Sequence, residues 1–134
     1  MKPLHVMHTA ILVANLPRSQ YFYGTVLGLP QIDRPPTMGF PGCWYQLGHY
    51  QIHLILDEAG DDLSPIRLRN TEKWGRNNHL AIAIADIDAT RAHLQAHQWP
   101  MQASSSGRPA IFLQDPDGNV IELQVAPPLV PPKS

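Results

Sequence analysis

The sequence predicts an α+β protein built from two βαβββ modules, and three observations carry that prediction. The first is an internal repeat. "HTAILVANLPRSQYF", starting at His8, aligns with "HLAIAIADIDATRAH", starting at His79, so that His8/His79, Ala10/Ala81, Ile11/Ile82 and Ala14/Ala85 coincide. A match of this kind signals a duplicated structural unit. The second is a matching end: Ile52-His53-Leu54 in "GHYQIHL" answers Ile121-Glu122-Leu123 in "GNVIEL", in the same order and at nearly the same offset. The third is the course of each half, which runs from an apolar strand to a helical stretch and then into hairpins.

The elements follow in order. "HVMHTAILV" and "NHLAIAIA" are β-rich apolar runs that open the modules. Asn15 followed by Pro17 marks a helix start, and "RSQYFYGTVLGL" runs to Gly28 as its stop. In the second half Asp86 or Asp88 caps "IDATRAHLQAHQ". "CWYQL" and "YQIHLIL" are joined by Gly48-His49, a two-residue link suited to a type II′ turn. "AIFLQ" and "NVIELQV" are joined through "DPDG", which is strong turn chemistry. Residues 1–126 are expected to form one domain, with module one at about 5–57, a linker at about 58–76 and module two at about 77–126. The proline-rich stretch 127–134 reads as an extended tail.

Composition narrows the function. The 134 residues are 43% hydrophobic and 16% charged, with a formal net charge of −1, which suits a globular chain with a real core. No basic run points to nucleic acid or an anionic membrane. A lone cysteine, Cys43, excludes an internal disulfide and suits a reducing compartment. No apolar stretch has the length of a membrane span, so the expectation is a cytoplasmic protein. Cys43 itself has no histidine–carboxylate setting and reads as a small buried residue.

Strand side chains alternate between faces, so parity can be tested. His8 shares a face with Ala10 and Leu12, and His79 with Ala81 and Ala83, while Ile11, Val13, Ile82 and Ile84 lie opposite. Glu122 lies with Val120 and Gln124, and His53 with Gln51. Pairing Leu47 with Tyr50 puts Trp44 across from His53 and Gln46 across from Gln51. His8, His53, His79 and Glu122 therefore occupy equivalent places on the less packed faces of two repeated modules. A pseudo-twofold between the modules would bring the four together. Three imidazoles and one carboxylate suit one divalent ion of borderline softness: Fe²⁺, Mn²⁺, Co²⁺, Ni²⁺ or Zn²⁺. His53 is read either as a ligand or as an acid/base beside a three-ligand site.

These residues resemble the vicinal oxygen chelate superfamily, which includes glyoxalase I, extradiol dioxygenases, fosfomycin-resistance proteins, methylmalonyl-CoA epimerase and bleomycin-resistance proteins. "NLPRSQYFYGTVLGL" (Asn15 to Leu29) and "DPDGNVIEL" (Asp115 to Leu123) match its two motifs, and the resemblance runs from about His5 to Val125. It implies two βαβββ modules whose mixed sheets curl into a glyoxalase/bleomycin resistance/dioxygenase-like cup around a divalent metal. It assigns His8 and His79 as the module-opening ligands and Glu122 as the closing one. His53 departs from glyoxalase I, which has a glutamate there that both binds metal and moves the substrate proton. The departure leaves the site one negative charge poorer.

The function so implied is divalent-metal-dependent catalysis on a small molecule with two vicinal oxygens. The ion would stabilise an enediolate-like intermediate in lyase or isomerase chemistry of the lactoylglutathione lyase kind, with Glu122 and His53 as the catalytic residues. One alternative is an Fe(II) extradiol dioxygenase using His8, His79 and Glu122. Another is a non-catalytic binding protein of the bleomycin-resistance type. Trp44, Gln51, Arg108, Phe112 and Gln124 are the expected substrate contacts. Arg67, Arg69 and Arg76, in the polar link between modules, are either a solvated loop or a lid that clamps a substrate carboxylate. His5, His49, His93 and His97 read as structural or exposed. Such short chains commonly pair, so a homodimer is expected.

Overall fold

A computed structural model of the chain describes residues 1–58 and 68–127. The chain divides into two compact units, Met1–Ile66 and Arg67–Ser134. Arg67 and the tail from residue 128 lie outside the described residues.

In the first unit β1 (His8–Val13) leads into α1 (Leu16–Gln20) and a π-helical turn (Tyr21–Val26). Three strands follow: β2 (Gln31–Ile32), β3 (Gly42–Leu47) and β4 (Tyr50–Leu56). They make a four-stranded mixed sheet in the order β1-β4-β3-β2, with β1 parallel to β4. The helix begins where the sequence places it, because the Asn15 side chain accepts from the Arg18 N–H at 2.9 Å. It does not continue as a plain α-helix. The Leu27 N–H reaches back five residues to the Phe22 carbonyl at 2.8 Å, which widens the turn. Phe22, Tyr23 and Val26 are all buried there. Gly28, at φ +71°, then supplies the left-handed stop.

The second unit repeats the plan with β5 (His79–Ile84), α2 (Ile87–Ala96), β6 (Gln102–Ala103), β7 (Ala110–Gln114) and β8 (Val120–Val125). Its order is β5-β8-β7-β6, with β5 parallel to β8. Asp86 caps α2 by accepting from the Asp88 and Ala89 N–H groups. In the β7–β8 turn the Asp115 carboxylate accepts from the Asp117 and Asn119 N–H groups at 2.9 and 2.8 Å, and Gly118 takes φ +88°.

Register confirms the parity argument. Leu47 pairs with Tyr50, Gln46 with Gln51 and Trp44 with His53. Ala10 stands beside His53 in the first sheet as Ala81 stands beside Glu122 in the second. His8, Ala10, Leu12, His79, Ala81 and Ala83 are exposed, whereas Ile11, Val13 and Ile82 are buried. The small alanines next to His53 and Glu122 leave room over those two side chains. No helix among the described residues is long and apolar enough to cross a membrane.

Candidate functional site

Each unit gathers its own pair of candidate ligands. In the first, the β4 residue His53 is 8% exposed and sits between two rings. Trp44 of β3 stacks on one side with centroids 3.9 Å apart, and His8 of β1 lies 4.1 Å away at an interplanar angle of 14°. Burial lowers the His53 pKa, and the neighbouring His8 and Arg34 push the same way, so the ring is held neutral.

A chain of amides sets its tautomer. Gln46 donates from Nε2 to the Gly48 carbonyl at 2.6 Å, and a carbonyl can only accept. Gln46 Oε1 therefore accepts from Gln51 Nε2 at 3.0 Å, which turns Gln51 Oε1 toward His53 Nε2 at 2.8 Å. The His53 Nε2 proton is donated to Gln51, and the free lone pair is at Nδ1.

In the second unit the partners are His79 on β5 and Glu122 on β8. His79 Nδ1 donates to the Asn77 carbonyl at 2.7 Å, which leaves the Nε2 lone pair facing Glu122 Oε2 at 3.9 Å. The edge of the His79 ring meets Phe112 of β7 with centroids 5.5 Å apart, and Phe112 is the register partner of Glu122. Glu122 is 4% exposed. Its other oxygen accepts from Arg108 Nη2 at 3.0 Å, while Arg108 Nη1 donates to Gln124 Oε1 at 3.2 Å. Arg108 is thus the cation paired with this buried side chain.

The substrate contacts expected from the sequence fall into the same two clusters: Trp44 and Gln51 on His53, and Arg108, Phe112 and Gln124 around Glu122. A cavity of about 410 Å³ adjoins the second cluster, lined by Lys73, Arg76, Ser104, Ser106, Arg108 and Phe112 among others. Lys73 and the serines were not legible as site residues, although "SSSGR" carries a signal in its run of small hydroxyls before an arginine. Gln46, the anchor of the amide chain, gave no signal beyond its register.

The sequence model of the Glyoxalase/Bleomycin resistance protein/Dioxygenase superfamily matches residues 5–123. The chain belongs to that superfamily. Within it, the chain is similar to "Glyoxylase I 4" of Arabidopsis thaliana, at 26% identity over 130 residues covering 90% of this chain and 72% of the relative. It is also similar to "Uncharacterized protein YaeR" of Escherichia coli, at 29% identity over 130 residues covering 92% and 95%. Among solved structures, a glyoxalase/dioxygenase from Nostoc punctiforme superposes with a TM-score of 0.73 at 25% identity, covering 92% of this chain and 91% of that one. The paired βαβββ units are the superfamily's plan.

Members of the superfamily commonly use a divalent metal, and the donors present here fit one. Two acceptors, His79 Nε2 and Glu122 Oε2, face each other across 3.9 Å. With a neutral imidazole that arrangement repels unless a cation shares the two acceptors; with a protonated one it is itself an ion pair. Ligands of one ion with bonds near 2.0 Å stand roughly 3.3 Å apart in tetrahedral geometry, so a small adjustment serves both. The Asn77 carbonyl on His79 Nδ1 is the kind of outer partner that orients a metal-binding imidazole. Within each unit the described residues gather two such donors, not three.

Proposed function

We propose that this superfamily member is a divalent-metal-dependent enzyme acting on a small molecule with two neighbouring oxygens, in lyase or isomerase chemistry of the glyoxalase type. His8, His53, His79 and Glu122 are the donors in this reading, two from each unit. The observation that carries it is the buried Glu122 carboxylate, one oxygen held by Arg108 and the other turned toward a histidine lone pair. The relative named "Glyoxylase I 4" supports the reaction class.

A bound ion supplies Lewis-acid stabilisation of negative charge on the substrate oxygens. The chain's own residues do the rest. Arg108 holds Glu122 Oε1 and so fixes the orientation of the carboxylate, which makes Oε2 the oxygen presented both to the ion and to the substrate proton. His53, neutral and with its lone pair at Nδ1, is a second proton acceptor whenever it is not a ligand. Trp44 covers one face of that ring and excludes water from it. Phe112 walls the Glu122 side, and Gln51 and Gln124 offer polar contacts to the substrate.

The test is elemental analysis of protein purified without a metal-chelating tag, followed by turnover of the hemithioacetal of methylglyoxal and glutathione. The expected result is about one divalent ion per chain, lost in Glu122→Ala. Absence of bound metal after soaking with each candidate ion would sink the proposal and leave an aromatic-ligand-binding protein as the better account.

The near-parallel stacking of His8 and His53, centroids 4.1 Å apart, sets their in-plane lone pairs side by side and favours a second reading, in which His53 is an acid/base only and His8, His79 and Glu122 form the two-histidine, one-carboxylate set of an Fe(II) extradiol dioxygenase. Catechol turnover with O₂ in the ferrous protein alone, with the ion retained in His53→Ala, would select it. We propose also that the chain works as a homodimer, because each sheet ends in edge strands with open backbone groups. Sedimentation of the tag-free protein measures this directly.

A further inference from the structure

The cavity beside Glu122 is lined by three cationic side chains, Lys73, Arg76 and Arg108, against one carboxylate, Glu72. Neither Lys73 nor Arg76 makes a side-chain hydrogen bond or ion pair among the described residues. Arg108 spends three of its five N–H groups on Ser106, Gln124 and Glu122, and two remain. Solvated surface cations often stand this way, but here the walls are built. The 3-10 turn Trp74–Arg76 is held by Asn77, whose Nδ2 donates to the Asn70 and Trp74 carbonyls at 2.9 Å each. Gln102 of β6 grips the same turn, accepting from the Trp74 N–H at 2.9 Å and donating to the Glu72 carbonyl at 2.7 Å.

The opposite wall has hydrogen bonds of its own. Ser104 and Ser106 share a hydroxyl contact at 2.8 Å, and Ser106 accepts from Arg108 Nε at 3.1 Å. Phe112 closes one side, packed so tightly under Gly75 that a Cβ there would strike the ring. At about 410 Å³ the cavity has the size of a small-ligand site, larger than a single oxyanion needs.

We infer that this cavity is an anion subsite that takes a phosphate, carboxylate or sulfonate group carried by the ligand. Lys73 and Arg76 supply the charge, and the serine hydroxyls and free Arg108 N–H groups supply directional donors. Arg108 and Phe112 line the cavity and also touch Glu122 and His79, so an anion anchored here leads the rest of its molecule to that pair. The substrate class is then a small vicinal-oxygen compound with an anionic group several atoms from its reacting end. Naming the occupant as the substrate rests on the metalloenzyme reading; the anion site itself does not.

The experiment is amide NMR of chelator-treated protein titrated with inorganic phosphate at constant ionic strength, so that no bound metal contributes. The expected result is saturable shifts at Ser104–Ser106 and Lys73, with affinity falling about tenfold in Arg76→Gln and in Lys73→Gln, the worth of one charge-assisted hydrogen bond. Because the protein is metal-free throughout the titration, a failed metal reading would leave the subsite standing. Absence of saturable shifts, or unchanged affinity in both cavity variants with their thermal midpoints intact, overturns it. Parallel titrations with acetate and methanesulfonate rank the three anion chemistries.

Discussion

His79 Nε2 and Glu122 Oε2 face each other across 3.9 Å, while the Nδ1 proton of the same ring is given to the Asn77 carbonyl. The two atoms are close enough to share one divalent ion with a small adjustment. A divalent ion bound only by the folded chain, at a hundredfold excess over its Kd, adds about 2.7 kcal/mol. For a domain of this size that raises the thermal midpoint by roughly 10 °C. Differential scanning calorimetry of metal-free protein is expected to show the rise on adding the ion, and to show none in Glu122→Ala or His79→Ala. A rise retained in both variants would remove the pair from the ligand set.

Arg108 is the cation that accompanies the buried Glu122 carboxylate. Removing one partner of a fully buried pair costs roughly 3–5 kcal/mol. The Arg108 side chain is 49% exposed, so water screens part of that, and Arg108→Ala is expected to cost about 1–2 kcal/mol in urea unfolding. In a Glu122→Gln background the same change should cost well under half as much, because no charge is left unpaired. Additive losses would mean the arginine acts by packing its stem and not by pairing.

The amide chain from Gly48 through Gln46 and Gln51 predicts the Nε2–H tautomer for His53 in metal-free protein. Ring nitrogen-15 shifts report this directly. Gln51→Leu is expected to release that preference and to change ion binding or proton transfer at His53, whereas Gln46→Leu should weaken it while leaving the His53 contact in place. Finding the Nδ1–H form in the wild type would discard the chain of amides as the device that sets it.

How far the sequence reached follows from which of these features are periodic. The repeat, the two helix caps and the faces of His8, His53, His79 and Glu122 depend on alternation and turn residues, which are written locally. The pairing of Trp44 with His53 came from a two-residue turn that fixes register. The π-helical turn at Tyr21–Val26 was not legible, because "YFYGTV" has the apolar spacing of any buried helix and the widening comes from packing. The Arg108–Glu122 contact needed the course of the loop before β7, which parity does not give. The side cavity was hidden for the same reason: Lys73, Arg76 and Ser104 come from separate segments that only the Gln102 and Asn77 hydrogen bonds draw together.

Cys43 and Tyr45, both buried on β3, give the chain an alkaline weakness. Burial raises the Cys43 thiol above its ordinary 9.0, against weaker lowering by Tyr45, Gln20 and Arg34. Burial and then the Cys43 hydrogen bond raise the Tyr45 phenol well above its ordinary 10.0. The folded chain therefore keeps protons that the unfolded chain releases, and stability falls as pH rises past those ordinary values. Below them the contribution is fully present. Urea midpoints are expected to hold from pH 7 to 8.5 and to drop between pH 9 and 11, with the drop reduced in Tyr45→Phe. Iodoacetamide should label Cys43 slowly at pH 8 until urea unfolds the chain; fast labelling of the native protein would contradict the burial.

Gly75 is a tight point of the second unit's site, because an added Cβ would collide with three atoms of the Phe112 ring. Phe112 is 7% exposed and paired across β7–β8 with Glu122, so the ring has little room to retreat. Gly75→Ala is expected to destabilise the protein by roughly 1–3 kcal/mol, the usual cost of overpacking, and to disturb the His79 and Glu122 signals through the displaced ring. Phe112→Leu removes the colliding atoms. The double variant Gly75→Ala/Phe112→Leu should therefore cost less than the sum of the two single changes, a coupling of about 1 kcal/mol or more for residues in direct contact. Strict additivity in the thermal or urea midpoints would show that the Trp74–Arg76 turn moves instead. In that case the His79 and Glu122 signals would stay in place while those of Lys73 and Arg76 shifted.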